Sequence, residues 1–197
     1  MAETRVPIQK RSIETKNKIM EKGLELVFEK GYPNVTTKDI AEYAGVSIGN
    51  IYQYYTDKKD IIEHALKNYY IRRYDYLEEL FNNSMDVNSM IVIVIDAYFN
   101  HVCNHIDIYR QLFILMHTEE DFAKIFTEAD LELQRRLIRF LENINVHYDD
   151  IEHKLHYIYS LLTGITNDII IYPMNKEYYL KMRKVTARII KQILEDK

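Results

Sequence analysis

Apolar residues recur mainly at intervals of three and four along this chain, which is the period of an amphipathic helix. The pattern predicts a first helix from Glu14 to Lys30, which Gly31 ends. It predicts two shorter helices over Thr37–Ala44 and Ile48–Tyr55, with a tight turn at Gly45 between them. The front of the chain is therefore expected to form three helices.

Start signals for helices support this assignment. Thr36 and Asp39 have the T-x-x-D spacing of a capping box, and Ser47 can cap the helix that follows it. Thr118 and Asp121 repeat the same spacing, so a second capping box is predicted there at the start of a long helix that runs to Asn143.

The remaining segments also favour helices. Ile61 to Phe81 has the pattern of a long helix, and Met90 to Ile95 reads MIVIVI, which β-branching alone would make a strand. That run continues without a turn signal and has no sheet partner, so we interpret it as a buried helix. Further helices are predicted over 107–116, 118–143 and 151–172 and after Pro173. The fold class is therefore all-α, with about nine helices.

Composition and charge narrow the class of protein. Only 5 Gly and 3 Pro occur in 197 residues, which suits long helices with short loops. No run of about 18 apolar residues and no signal peptide is evident, so a cytoplasmic protein without a membrane span is expected. Residues 1–60 hold 10 Lys and Arg against 9 Asp and Glu, and the remainder holds 16 against 21. A near-neutral front therefore precedes an acidic body. The front begins with a basic arm, which holds Arg5, Lys10, Arg11, Lys16 and Lys18 against Glu3 and Glu14.

The segment from Thr36 to Ile62, TTKDIAEYAGVSIGNIYQYYTDKKDII, resembles the DNA-binding signature of the TetR family of ligand-responsive repressors. The resemblance fixes many positions in register, among them Ile40, Ala41, Gly45 and Val46. It implies an N-terminal DNA-binding domain over 1–60 with a helix-turn-helix at 36–55. It further implies a bridging helix and a helical-bundle domain over 61–197 that dimerises and binds an effector.

Within such a motif, the exposed front of the second helix approaches base edges in the major groove. The candidates for base contact are Ser47, Ile48, Gly49, Asn50 and Gln53. The candidates for phosphate contact, which orients the protein without reading sequence, are Thr37, Lys38, Tyr52, Tyr54 and Lys58. Thr36 is a further candidate DNA-binding residue.

The body offers two sets of candidate residues. Aromatic and sulfur-containing walls suit an apolar or aromatic effector, either neutral or cationic, and the predicted pocket residues are Tyr98, Phe99, Tyr109, Phe113, Met116, Phe122, Phe126, Tyr157 and Leu161. Apolar stripes on the last two helices need a partner surface, and a second copy of the chain is the expected one. The predicted dimer residues are Leu155, Ile158, Leu162, Ile165, Ile169, Met182, Val185 and Ile189.

The resulting hypothesis is a homodimeric repressor that an inducer releases from a palindromic operator. A DNA-binding regulator or activator without an effector remains open, as does, more remotely, a helical ligand-binding protein or an enzyme. No nucleophile elbow, phosphate-binding glycine loop or zinc-protease motif occurs, so an enzyme is not expected. His101, Cys103 and His105 cannot converge on one helix face, and neither a metal nor a cofactor is predicted.

Overall fold

The computed structural model describes residues 5–82, 86–172 and 175–196, with side chains described from residue 10 onward. Within these ranges the chain forms nine α-helices and one 3-10 turn, and no strand. The helices are α1 (Arg5–Lys30), α2 (Thr37–Ala44), α3 (Ile48–Tyr52), α4 (Lys58–Asn82), α5 (Val87–Asn104), α6 (Ile106–Thr118), α7 (Glu120–Asn143), α8 (Ile151–Ile171) and α9 (Lys176–Glu195). The 3-10 turn is Tyr32–Asn34. The all-α prediction is confirmed.

The chain divides into two compact units at positions that differ from the predicted domain boundary at residue 60. The first unit comprises residues 5–71 and 114–125, and the second comprises residues 72–113 and 126–196. The end of α6 and the start of α7 therefore belong to the same unit as the predicted helix-turn-helix. Sequence periodicity could not show this, because the grouping depends on contacts between distant segments.

The first unit is built on the close packing of α1 against α2. Ile19, Val27, Ile40 and Ile61 are completely buried in its core. Gly23 lies where two elements meet, since a Cβ atom there would come within 3.0 Å of Ile61 Cγ2. A larger residue at this position would require the core to shift, which explains why the helix contains a glycine despite its low helix propensity.

The second unit is organised by the packing of α5 against α9. The MIVIVI segment lies in α5, as predicted, and Met90, Ile91 and Ile95 are buried while Val92 is 52% exposed. Asp86 starts this helix, because its side chain accepts hydrogen bonds from the backbone amides of residues 88 and 89. An apolar stripe and an N-cap thus outweigh the β-propensity of the segment.

Three predicted details of the helices are wrong. The first helix begins at Arg5 and not at Glu14, so the basic arm is largely helical. The third helix ends at Tyr52 and not at Tyr55. The second capping box does not form: Thr118 is the last residue of α6, and its hydroxyl donates to the carbonyl of Ile114 at 2.9 Å. A threonine hydroxyl can bond backward along its own helix, and spacing alone cannot exclude that choice.

Candidate nucleic-acid interface

The capping box at the start of α2 fixes the entry to the candidate interface. The Thr36 amide donates to Asp39 Oδ2 at 2.8 Å, and the Asp39 amide donates to Thr36 Oγ1 at 3.2 Å. The Thr36 hydroxyl also donates to Asp39 Oδ2 at 2.6 Å, and this bond, together with the one from the Thr36 amide, holds the pKa of the Asp39 carboxyl below its usual value. The predicted capping box is confirmed, and it uses the hydroxyl of Thr36, a candidate DNA-binding residue, to stabilise the start of the helix.

The turn between α2 and α3 depends on the backbone of Gly45. Its φ and ψ angles are 64° and 39°, in the left-handed region that side chains disfavour. Its amide donates to the carbonyl of Glu42 at 3.0 Å, and the amide of Val46 donates to the carbonyl of Ala41 at 3.0 Å. These bonds satisfy carbonyls at the end of α2 and set the direction in which α3 leaves the turn.

A short and well-anchored α3 follows the turn. The Ser47 side chain accepts from the Asn50 amide at 3.2 Å, as its predicted cap role requires. Ile51 is completely buried, and Tyr55 is 2% exposed just beyond the helix. The Tyr55 hydroxyl donates to the carbonyl of Lys16 at 3.2 Å, and burial raises the pKa of Tyr55 to about 12. Tyr55 is therefore a packing residue.

The opposite face of α3 is open to solvent. Ile48 is 42% exposed and Tyr52 is 58% exposed, and Gly49 and Gln53 are exposed beside them. Asn50 is half-buried. A shallow, open concavity joins this face to α2, and its lining includes Thr36, Thr37, Lys38, Glu42, Val46, Ile48 and Tyr52. Predicted base-contact and phosphate-contact residues therefore share one continuous surface.

Two predicted phosphate contacts have partners inside the protein. The Tyr54 hydroxyl accepts from Ser12 Oγ at 3.1 Å. Lys58 Nζ donates to the carbonyl of Tyr32 at 2.8 Å and lies 4.0 Å from the centroid of the Tyr32 ring. Burial lowers the pKa of the Lys58 ammonium. In this conformation Lys58 binds the protein's own backbone.

The sequence did not indicate that Tyr32 and Phe122 pack against each other. The two rings make an edge-to-face contact with their centroids 5.0 Å apart, and Phe122 is completely buried in the first unit. Beside them, Lys59 forms an ion pair with Asp121. The segment 114–125 therefore packs on the helix-turn-helix unit, and Phe122, predicted to line an effector pocket, is part of that packing. No local pattern distinguishes these two uses of a buried phenylalanine.

The other predicted pocket residues differ in burial and in the unit to which they belong. Phe99 is completely buried, Phe126 is 8% exposed, and Tyr109, Phe113 and Leu161 are half-buried in the second unit. The hydroxyl of Tyr98, also half-buried, donates to the carbonyl of Leu162 at 2.5 Å. Met116 belongs to the first unit, and Tyr157 is 69% exposed on α8. Tyr157 is therefore a surface residue of the protomer.

The predicted dimer residues divide between core and surface. Leu155 and Ile169 are 7% and 1% exposed, so they pack inside the protomer. Four others are half-buried against the same core: Ile158, Leu162, Ile165 and Met182. Val185 and Ile189, 52% and 38% exposed, remain available.

The two histidines of the H-x-C-x-H segment lie next to each other. The rings of His101 and His105 are 4.7 Å apart, and burial, with smaller effects from Arg73 and His105, lowers the pKa of His101 to about 4. Burial raises the pKa of the Cys103 thiol. Among the described residues, no group of three His, Cys, Asp or Glu side chains could hold a metal ion.

A capped helix α2, a tight turn and a short helix α3 with one exposed face together form a helix-turn-helix of the DNA-binding class. The sequence profile of the bacterial regulatory proteins of the tetR family matches residues 19–65, which include the whole motif. Residues 19–65 therefore carry the DNA-binding domain of this family of transcriptional regulators. Among its described helices, none is long and apolar enough to cross a membrane.

Curated relatives align with part of the chain. The HTH-type transcriptional regulator YvkB of Bacillus subtilis is 26% identical over 114 residues, which cover 49% of this chain and 60% of YvkB. The biofilm operon negative regulator IcaR of Staphylococcus epidermidis is 24% identical over 135 residues, which cover 68% of this chain and 73% of IcaR.

Solved structures share the fold over nearly the whole chain. The fatty acid degradation regulator FadR of Bacillus halodurans superposes with a TM-score of 0.73 at 16% identity, covering 92% of this chain and 95% of FadR. FadR of Bacillus subtilis, solved in complex with stearoyl-CoA, gives a TM-score of 0.66 at 16% identity and covers 91% and 97% of the two chains.

Proposed function

We propose that this chain is a homodimeric transcriptional repressor that binds a palindromic operator and is released by a small molecule bound in the second unit. The observation that carries the DNA-binding part is the open face of α3, where Ile48, Gly49, Tyr52 and Gln53 are exposed while Ile51 is buried. A helix held in this way can enter the major groove without rearranging its own core.

The low net charge of the N-terminal segment affects how such an interface would bind DNA. Residues 1–60 carry a net charge of only +1, so non-specific attraction to phosphates is weak. Lys38 is exposed at the edge of the α3 face, whereas Glu42 in the same concavity repels phosphate. Affinity would therefore depend on a few placed contacts and on two recognition helices acting together.

Selection from a random pool of double-stranded DNA tests this function. We expect enriched sites to contain two inverted half-sites, with centres about 10 base pairs or a multiple of that apart. Tyr52→Ala should weaken binding to the selected site. Tyr43→Ala is the matched control, because Tyr43 is 41% exposed but donates to Glu29 on α1 and lies outside the α3 face. Equal losses in both variants would refute the assignment.

A heptad-spaced face on α8 and α9 supports the dimer. Tyr157, Gly164 and Ile171 recur every seven residues on α8, and Tyr178 and Val185 do so on α9. All five are exposed, and nothing lies within 4 Å of a Cβ atom placed on Gly164, so another helix can approach closely there. Because α8 packs beside α9, these positions offer a surface to a second copy.

Sedimentation analysis of two charged variants tests the dimer. Val185→Glu places a carboxylate on the proposed interface and should yield monomers. Val92→Glu is the matched control, because Val92 is exposed to the same 52% but lies on α5. We expect Val92→Glu to remain dimeric. A monomeric native protein would contradict the proposal directly.

The proposed release by a small molecule is distinguishable from regulation without an effector. An inducer must bind the released conformation better than the DNA-bound one, so it lowers DNA affinity at constant salt. An effector-free regulator would show salt-dependent DNA binding that no tested ligand changes. The stearoyl-CoA complex of Bacillus subtilis FadR supports the first alternative, since that protein has the same fold.

A further inference from the structure

Two of the exposed side chains on α3 are an isoleucine and a tyrosine that lie one helical turn apart. Ile48 and Tyr52 are four residues apart, so they are neighbours on the helix surface, and both line the concavity between α2 and α3. The Ile48 side chain has no atom that can donate or accept a hydrogen bond. It therefore cannot read a base by hydrogen bonding, and only contact with an apolar group removes its surface from water favourably.

The rest of the concavity extends this apolar surface. Ala41 lines it from α2, and the half-buried Val46 lines it from the turn. Lys38 and Glu42 line it as well, and their opposite charges leave it without a net positive charge. A phosphate group is therefore not favoured in the concavity, because phosphates bind where positive side chains neutralise them. A small apolar group that covers Ile48 is favoured.

The major groove of DNA offers one kind of apolar group to such a surface. Each base pair presents hydrogen-bond donors and acceptors there, and among the four bases only thymine adds an apolar group, its 5-methyl. The recognition helix of a helix-turn-helix lies in that groove with its first residues toward the base edges, and Ile48 is the first residue of α3. A thymine methyl is therefore the group on DNA that can cover Ile48.

The support of Ile48 favours a selective contact. The amide of Asn50 donates to the Ser47 side chain at 3.2 Å and to the Ser47 carbonyl at 3.0 Å, and Ile51 is completely buried. Isoleucine is β-branched and has one strongly preferred rotamer in a helix. Little conformational entropy is then lost when the Ile48 side chain makes contact, so the methyl group contributes fully to affinity.

We propose that Ile48 is a specificity-determining residue that recognises the 5-methyl group of a thymine in each operator half-site. This contact rests on the proposed function, since it requires α3 to enter the major groove. It goes beyond that function in naming the base, and the group on that base, that the exposed face of α3 selects.

Replacement of thymine by uracil in the selected DNA tests the contact, because uracil lacks only the 5-methyl group and keeps every hydrogen-bonding group of thymine. Each thymine is replaced in turn, symmetrically in both half-sites, and fluorescence anisotropy measures the affinity of the full-length protein for each duplex. We expect at least one replacement to weaken binding about fourfold per methyl group, and so about 16-fold for the symmetric pair.

Two variants assign the preference to a side chain. Ile48→Ala should bind the thymine and uracil duplexes almost equally at that position, because alanine is too short to reach the methyl group. Ile71→Ala is the matched control, since Ile71 is similarly exposed but lies on α4, and it should keep the native preference. All three proteins are measured with the same duplexes, so any effect of uracil on the stiffness of the DNA is common to them.

Two results would overturn this role of Ile48: no thymine whose replacement weakens binding, or thymine preferences that Ile48→Ala keeps in full at every sensitive position. In both cases the protein still binds the selected DNA, so the proposed function stands. Failure to select any DNA would overturn the proposed function and the role of Ile48 together. Circular dichroism melting curves confirm that both variants are folded, as the exposure of the two side chains leads us to expect.

Discussion

Two glycines of the helix-turn-helix should respond oppositely to alanine. Gly45 has a φ of 64°, and an L-residue in the left-handed region costs about 1–2 kcal/mol. Crowding does not add to this cost, since the nearest atom to a Cβ at Gly45 is Lys18 Nζ at 3.7 Å. Alanine also lowers the conformational entropy of the unfolded chain, and this offsets about 0.4–1 kcal/mol of the cost. We therefore expect Gly45→Ala to lower the free energy of unfolding by about 1 kcal/mol.

Gly49→Ala is the matched comparison. Gly49 lies within α3 without a positive φ, and only Ser47 Oγ, at 3.9 Å, lies within 4 Å of a Cβ placed there. Alanine in a helix is favoured over glycine by up to about 1 kcal/mol, so this variant should be as stable as the native protein or more stable. Its new methyl group lies on the proposed DNA face, so binding to selected DNA should weaken.

Urea unfolding followed by far-ultraviolet circular dichroism measures the stabilities, and fluorescence anisotropy with a labelled duplex measures DNA affinity. We expect Gly49→Ala to be more stable than Gly45→Ala and to bind the selected DNA more weakly. A Gly45→Ala protein as stable as the native one would refute the argument from backbone conformation. Unchanged DNA binding by Gly49→Ala would refute the placement of α3 against DNA.

Three further substitutions test the packing and ionisation described above. Phe122→Ala should lower the free energy of unfolding by about 3–5 kcal/mol, because it empties a fully buried site, whereas Phe122→Leu should cost much less in the same urea titration. Tyr74→Phe should cost about 1 kcal/mol because it removes the hydrogen bond from the Tyr74 hydroxyl to the Ala129 carbonyl, and calorimetric melting that shows no loss would contradict that bond. Because the pKa of His101 is lowered from 6.5 to about 4, its contribution to stability is complete above pH 6.5 and is lost as the pH falls toward 4. His101→Gln should flatten the pH dependence of the unfolding free energy over that range, and an unaltered profile would show that another group is responsible.

Local chemistry made much of the DNA-binding motif predictable. Thr36 and Asp39 form their capping box because both partners lie within one helical turn, and Gly45 adopts the left-handed conformation that its lack of a Cβ permits. The helix at MIVIVI could also be inferred, since an isolated strand would leave its backbone groups unsatisfied. The exposed face of α3 lies where the helix-turn-helix motif predicts it. The roles of its side chains in DNA contact stay predictions.

Long-range contacts account for the parts that sequence could not supply. A lysine at a helix start is equally suited to a phosphate or to a carbonyl, and only the position of Tyr32 brings that carbonyl to Lys58. An apolar repeat on α8 does not tell which residues face the protomer core, and the packing against it is what buries Leu155 and Ile169.

The sequence by itself thus determined the helices, their order and the motif that identifies the family, because capping, turn formation and helical periodicity act over a few neighbouring residues. The tertiary structure alone decided that residues 114–125 join the helix-turn-helix unit and that Lys58 donates to the carbonyl of Tyr32. Both outcomes depend on contacts between residues that are far apart in the sequence, and the spacing of residues along the chain does not predict those contacts.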